Sequence, residues 1–204
     1  MLVALPDLSP AESSNGFRIV PPEQATVSVF DRSFQFGDSL YEVTRSYEGV
    51  LFSFEEHLKR LAASAKLARF EVPLPLEKIH QMTTAACRAY FQKYGNSDVY
   101  VRIVVSRGSG DLNIDRDSSS EPYPIVFVKE FKPWAEKSYR DGVHYAVVER
   151  RRNLVNALDP AMKSGNYLNN VLALSEARSL GADDAVLLNY QGFVTEGTTN
   201  NVYA

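Results

Sequence analysis

Two helical patterns lie almost end to end in the first half of the chain, with strand-like sequence on both sides. In "SFEEHLKRLAASAKLARF" (53–70), Leu58, Leu61, Ala65 and Leu67 or Ala68 recur at helical spacing on one face. Ser53 is placed as its N-cap, with Glu56 completing a capping box. A second helix is expected from Leu76 to Tyr94, stopped by Gly95-Asn96. Ahead of the pair, residues 17–54 are rich in β-branched and aromatic residues, with turn signals at Gly37-Asp38 and Glu48-Gly49, and read as short strands. Behind it, 98–108 and 121–131 read as strands joined by the polar stretch "SGDLNIDRDSSSE", too long for a simple hairpin and of a length often found in functional loops. Helices with one apolar stripe beside strands require a layered α/β or α+β fold, here in two lobes.

The leader, residues 1–16, is polar and proline-containing and carries no expected element. "FKPWAEKSYRDG" (131–142) interrupts the periodicity with Pro133 and Gly142, and a linker is placed at 131–138. That leaves a small N-terminal α/β domain at 1–130 and, at 139–204, the first part of a larger one. The latter is expected to hold a strand at 143–150, an irregular segment, a helix at 166–180 and strands at 184–189 and 192–195. Val202 to Ala204 read as a further strand with no closing turn. A longer fold is therefore expected, its remainder supplied as a separate C-terminal fragment or lost.

With 22 basic against 25 acidic residues and a net charge of −3, nothing suggests a nucleic-acid partner. "ERRRN" (149–153) reads as solvated charge. The single cysteine, Cys87, excludes an internal disulfide and reads as a buried structural thiol. His57, His80 and His144 show no metal-ligand spacing. No apolar run approaches the ~18 residues of a membrane span, and no signal peptide is evident. A soluble cytoplasmic protein is expected.

Lys163, in "AMKSGNYLNNVLALSEAR", precedes an expected helix start. Alone it reads as a surface lysine. Positive potential at a helix N-terminus would lower its pKa and favour Schiff-base chemistry with an aldehyde. Downstream, "GFVTEGTTNNVYA" places Glu196 on a tight turn. A lysine and a carboxylate are what pyridoxal phosphate (PLP) requires as imine and pyridinium partners.

The stretches "FDRSFQFGDSLYEVTRSYEG", "EEHLKRLAASA", "VYVRIVVSRGSGDLNID", "KSGNYLNNVLALSEAR" and "VTEGTTNNVYA" together resemble the class IV, fold type IV PLP enzymes. The closest resemblance is to branched-chain aminotransferases; D-amino-acid aminotransferases and aminodeoxychorismate lyases belong to the same group. The resemblance implies that Lys163 is the Schiff-base lysine and proton shuttle, that Glu196 pairs with the pyridine nitrogen and that Arg60 binds the phosphate. Tyr167 would lie beside the phenolic oxygen, and Thr198-Thr199 under the ring or phosphate. Tyr100 and Arg102, two apart on one strand, match the family's Tyr-x-Arg substrate pair. Phe36, Tyr41 and Trp134 match its aromatic pocket wall, and Arg45 a pocket-entrance arginine.

D-specific relatives carry an Arg and a His where this chain has Leu112 and Ile114, which counts against D-specificity. The resemblance thus implies transamination between an aliphatic L-amino acid and a 2-oxo acid, 2-oxoglutarate, in a homodimer whose "GDLNID" loop covers the neighbouring subunit's site. The lyase and D-amino-acid readings stay open. So does a non-enzymatic one, a truncated paralogue acting as a partner subunit.

Overall fold

The computed structural model describes residues 1–7, 16–70, 75–120 and 122–203, and the chain forms two compact units. The first comprises Met1–Lys132 together with Met162–Gly165; the second comprises Pro133–Ala161 and Asn166–Ala204.

The first unit is built on a six-stranded sheet of order β2-β1-β6-β5-β3-β4. Its strands are β1 (Leu2–Pro6), β2 (Phe17–Val20), β3 (Ser39–Tyr47), β4 (Val50–Leu51), β5 (Val99–Ser106) and β6 (Tyr123–Glu130), all paired antiparallel. Alternation sorts β5 cleanly: Val99, Val101, Ile103 and Val105 are buried, while Tyr100, Arg102 and Val104 are partly exposed on the other face. The buried set packs with Leu58, Leu61 and Ala65 of α2 (Phe54–Leu67) and with Ile79, Met82, Ala86 and Tyr90 of α3 (Leu76–Tyr94) in one apolar core. Ala68 packs partly against that core, whereas Leu67 is 50% exposed, so the helical stripe ends on the alanine.

Several local expectations are corrected. Part of the leader is a strand: β1 lies between β2 and β6, and Leu2, Val3, Ala4 and Leu5 are each at most 5% exposed. A strand covered on both faces needs no polar alternation, which is why its run is uniformly apolar. Residues 8–15, the rest of that leader, lie outside the described residues. Within the stretch expected as strands, Arg32–Phe36 is a short helix, α1, capped by the Asp31 carboxylate on the Ser33 amide at 2.8 Å. Ser53 precedes α2 but adopts a left-handed conformation (φ 46°) and makes no side-chain cap, so the capping box does not form.

In the second unit, β7 (Tyr145–Arg151) and β8 (Asp184–Leu188) run parallel, joined by α5 (Leu168–Ser179), and β9 (Val194–Gly197) pairs antiparallel with β8. Val148, Ala173, Ala177, Ala182, Ala185 and Leu187 form its small core. The expected linker region carries a short helix, α4 (Glu136–Asp141). The strand expected at 202–204 is not present at Val202 and Tyr203, because the chain bends after β9, with the Gly197 amide donating to Asn200 O at 2.9 Å. Ala204 lies outside the described residues.

Candidate active site

Lys163 does not sit at a helix start. The short segment carrying it lies along the edge of β3: the Tyr41 amide donates to Lys163 O at 2.9 Å, the Gly165 amide donates to Ser39 O at 2.7 Å, and Leu40 bridges Ser164. Such close passage requires glycine at 165, where a Cβ would collide with Ser39 Oγ. The Lys163 amide also donates to Ser64 Oγ of α2 at 3.2 Å. Its Nζ lies 3.2 Å from the Tyr41 hydroxyl and 4.4 Å from the centre of the Tyr41 ring. In its own unit the amine thus meets a phenol beside the sheet edge.

Tyr41 and Glu42 are adjacent on β3 and point to opposite faces. On the Tyr41 face, the Arg102 guanidinium also stacks on the Tyr41 ring at 4.5 Å, and Lys129 on the Tyr100 ring at 4.8 Å. Arg45 lies over Phe131 at 3.5 Å and Tyr47 at 4.0 Å, and pairs with Asp98 at 3.3 Å. Lys163, Tyr41 and Arg102 are therefore brought together, while Arg45 is tied to Phe131 and Asp98. Phe36, at the end of α1, lies under the Arg32 guanidinium at 5.1 Å.

On the helix face, Glu42 is a buried carboxylate that the sequence reading missed. Arg60 of α2 holds it through two bonds, Nε to Oε1 at 2.6 Å and Nη2 to Oε2 at 2.7 Å, and His57 Nδ1 lies 2.8 Å from Oε2. An ionised carboxylate only accepts, so Nδ1 carries the proton in that contact. Burial acts to raise the Glu42 pKa, but the bonds from Arg60 and His57 and the charges of Arg60 and Lys163 outweigh it and hold the carboxyl below its ordinary range. The sequence holds only the separate parts of this signal: Glu42 falls on the inward parity of its strand, and His57 and Arg60 lie one helical turn apart.

Arg32 is likewise buried, and its guanidinium donates to the carbonyls of Asn113, Ile114 and Asp115 at 3.0–3.2 Å, bracing the long loop. Leu112 and Ile114 remain 72% and 84% exposed on it.

In the second unit, Glu196 pairs with Arg152 at 2.5 Å. The reading of 149–153 as solvated charge holds for Glu149, Arg150 and Arg151, which are exposed, and is corrected at Arg152, whose side chain is only 16% exposed. The turn after Glu196 is fixed from below. Thr198 donates to Asp184 Oδ1 at 2.5 Å, Asn200 Nδ2 donates to Asp184 Oδ2 at 3.0 Å, and Asn170 Nδ2 donates to Thr198 O at 2.7 Å. Gly197 has no room for a Cβ against the Asn200 amide. Thr198 is buried and Thr199 exposed, Tyr167 immediately precedes α5, and Trp134 is 62% exposed. Asp184 and Arg152 were not foreseen; neither belongs to a recognisable motif.

Residues 39–204 match the family model of Amino-transferase class IV. The chain belongs to the class IV aminotransferases. Among relatives of this aminotransferase chain, a Methanocaldococcus jannaschii protein named "Putative branched-chain-amino-acid aminotransferase" is 38% identical over 186 residues, covering 91% of this chain and 62% of that protein. The T.th. branched-chain amino acid aminotransferase complexed with N-(5'-phosphopyridoxyl)-L-glutamate superposes with a TM-score of 0.78 at 29% identity, covering 97% of this chain and 61% of that one. The Thermoproteus uzoniensis branched-chain aminotransferase with norvaline gives a TM-score of 0.78 at 29% identity, covering 97% and 63%. The aminotransferase chain thus spans about three-fifths of the length of these relatives. Class IV aminotransferases are PLP-dependent.

Proposed function

We propose that the protein transfers the amino group of aliphatic, branched-chain L-amino acids to 2-oxoglutarate with PLP as cofactor, as a cytoplasmic homodimer. The observation carrying this reading is the Lys163 amine, 3.2 Å from the Tyr41 hydroxyl, on a segment of the same unit as Arg60. The donor set has the right chemistry for the cofactor. An amine suits an aldehyde, a guanidinium with one edge turned from its carboxylate partner suits a phosphate, and a carboxylate with a hydroxyl-bearing turn suits a pyridine nitrogen and its substituents. When bound, PLP supplies the aldehyde and an electron-withdrawing ring that stabilises negative charge at the amino acid Cα.

Lys163 would then take the Cα proton of the amino acid and deliver it to the cofactor C4′, the transfer on which amino-group exchange depends. Tyr41 keeps the amine oriented by its hydroxyl and ring. Arg60 binds the phosphate, Glu196 holds a proton on the ring nitrogen, and Thr198, Thr199 and Tyr167 contact the ring substituents or phosphate. Tyr100 and Arg102 receive the substrate, with Phe36, Tyr41, Arg45 and Trp134 around its side chain. Leu112 and Ile114 offer no charge to a carboxylate, which favours L over D substrates. The glutamate adduct in the T.th. relative supports 2-oxoglutarate as acceptor.

Borohydride reduction of the full chain with PLP, followed by peptide mapping, should place the pyridoxyl group on Lys163; label on another lysine overturns the assignment. Turnover of L-leucine and L-valine should exceed that of D-alanine. The reverse order would favour a D-amino-acid enzyme, and pyruvate release from aminodeoxychorismate would favour a lyase.

A further inference from the structure

We propose that Glu42 is a positioning residue for the phosphate-binding arginine, an inference that rests on the PLP reading above. A guanidinium has two edges able to form paired bonds, one through Nε and Nη2 and one through Nη1 and Nη2. Glu42 takes the first, at 2.6 and 2.7 Å. The carboxylate itself is closely held: its side chain is 1% exposed, its strand is paired with β5 at Ile103, and His57 Nδ1 lies 2.8 Å from Oε2. The Arg60 side chain, by contrast, is 53% exposed. An exposed arginine ordinarily samples many rotamers, and ordering it opposes ligand binding. Here the ordering is done in advance by the core, and the second edge is held in a set direction for the tetrahedral oxygens of a phosphate monoester.

The alternative role of Glu42 has the opposite sign. As a bare negative charge beside an anion site it weakens phosphate binding, and its removal would strengthen it. As the holder of Arg60 it supports phosphate binding, and its removal weakens it. Direct binding therefore separates the two.

The test titrates the full chain, freed of cofactor, with PLP and with pyridoxal, which lacks the phosphate, following the absorbance of the bound aldehyde. Glu42→Gln keeps shape and removes charge. PLP affinity is expected to fall roughly tenfold, the scale of one charge-assisted hydrogen bond, while pyridoxal affinity stays within about twofold. In the Arg60→Ala background, Glu42→Gln should change PLP affinity no further. Equal losses for PLP and pyridoxal would mean general structural damage, and tighter PLP binding would mean simple repulsion; either overturns the proposal. If Glu42→Gln does not fold, Glu42→Asp tests the same point, since it keeps the charge and shortens the reach: a selective loss for PLP supports positioning, and an unchanged PLP affinity overturns it. Failure of the wild-type chain to bind PLP would overturn the function itself. Normal wild-type binding with an unaltered Glu42→Gln profile would overturn only the role of Glu42.

Discussion

Both units hold a charged candidate against an opposite charge, but they fix it by different means. In the first, Arg60 is paired with Glu42, whose side chain is 1% exposed beside the core covered by α2 and α3. In the second, Glu196 is paired with Arg152 over a core made largely of alanines, and Val147, Phe193 and Val194 are 62%, 66% and 58% exposed. Burial against the core, with the His57 contact, positions the first pair. A net of hydrogen bonds around Asp184 positions the turn that carries the second. The lesson is that rigidity at a candidate site can come from volume or from polar tethering, and the two fail under different perturbations.

The largest effect is expected at the residue that no packing or tether replaces. Lys163→Ala should slow amino transfer from L-leucine to 2-oxoglutarate by more than about a hundredfold, the scale of a lost general base, with urea unfolding little changed. Activity near wild type would remove the first unit from the chemistry altogether. Next come the cores. Ile103→Ala should destabilise the first unit by about 3–5 kcal/mol and Leu187→Ala the second by about 2–3 kcal/mol, because an open, alanine-rich site collapses more readily around a deletion. Denaturant titration with a probe in each unit checks this, and a larger loss for Leu187→Ala would reverse the contrast.

Thr198→Val should cost about 1–2 kcal/mol, since it leaves Asp184 short of a donor in a buried place, and should speed amide exchange at Gly197. Acid probes the other pair. With its pKa depressed by Arg60, His57 and Lys163, Glu42 contributes stability that is present above the ordinary carboxylate range and lost as pH falls through the lowered value. Glu42→Gln should flatten that acid limb, and an unchanged limb would dissociate the pair from stability. The smallest effect is expected at Cys87, where burial pushes the thiol up to about 12. A thiol reagent at neutral pH should leave the native chain unmodified and label it once unfolded.

Legibility followed the strength of the local pattern. The second long helix is found at the expected bounds, Leu76–Tyr94, because Ile79, Met82, Ala86 and Tyr90 repeat over many turns and Gly95 ends them. Leu2–Pro6 escaped because five apolar residues covered on both faces show no period. The helix at Arg32–Phe36 is too short to have one. Arg60 was visible only through resemblance to a family, whereas Lys163 drew attention by its position, although its amine lies beside the Tyr41 hydroxyl and not at a helix start. Glu42 itself was hidden because a charge inside a strand makes sense only once His57 and Arg60, on the following helix, are brought above it.

Lys163 reaches its place on the β3 edge only after the chain has left the first unit at Lys132 and come back at Met162. Closing that excursion has an entropic cost that no neighbouring contact can offset until the excursion is complete. Lys163 should therefore be among the last groups to dock during folding, with the Tyr41 amide protected from exchange later than the amides of β5. A chain part-way through folding would then hold a formed sheet and an undocked amine, so the proposed imine-forming group is withheld until the scaffold around it exists.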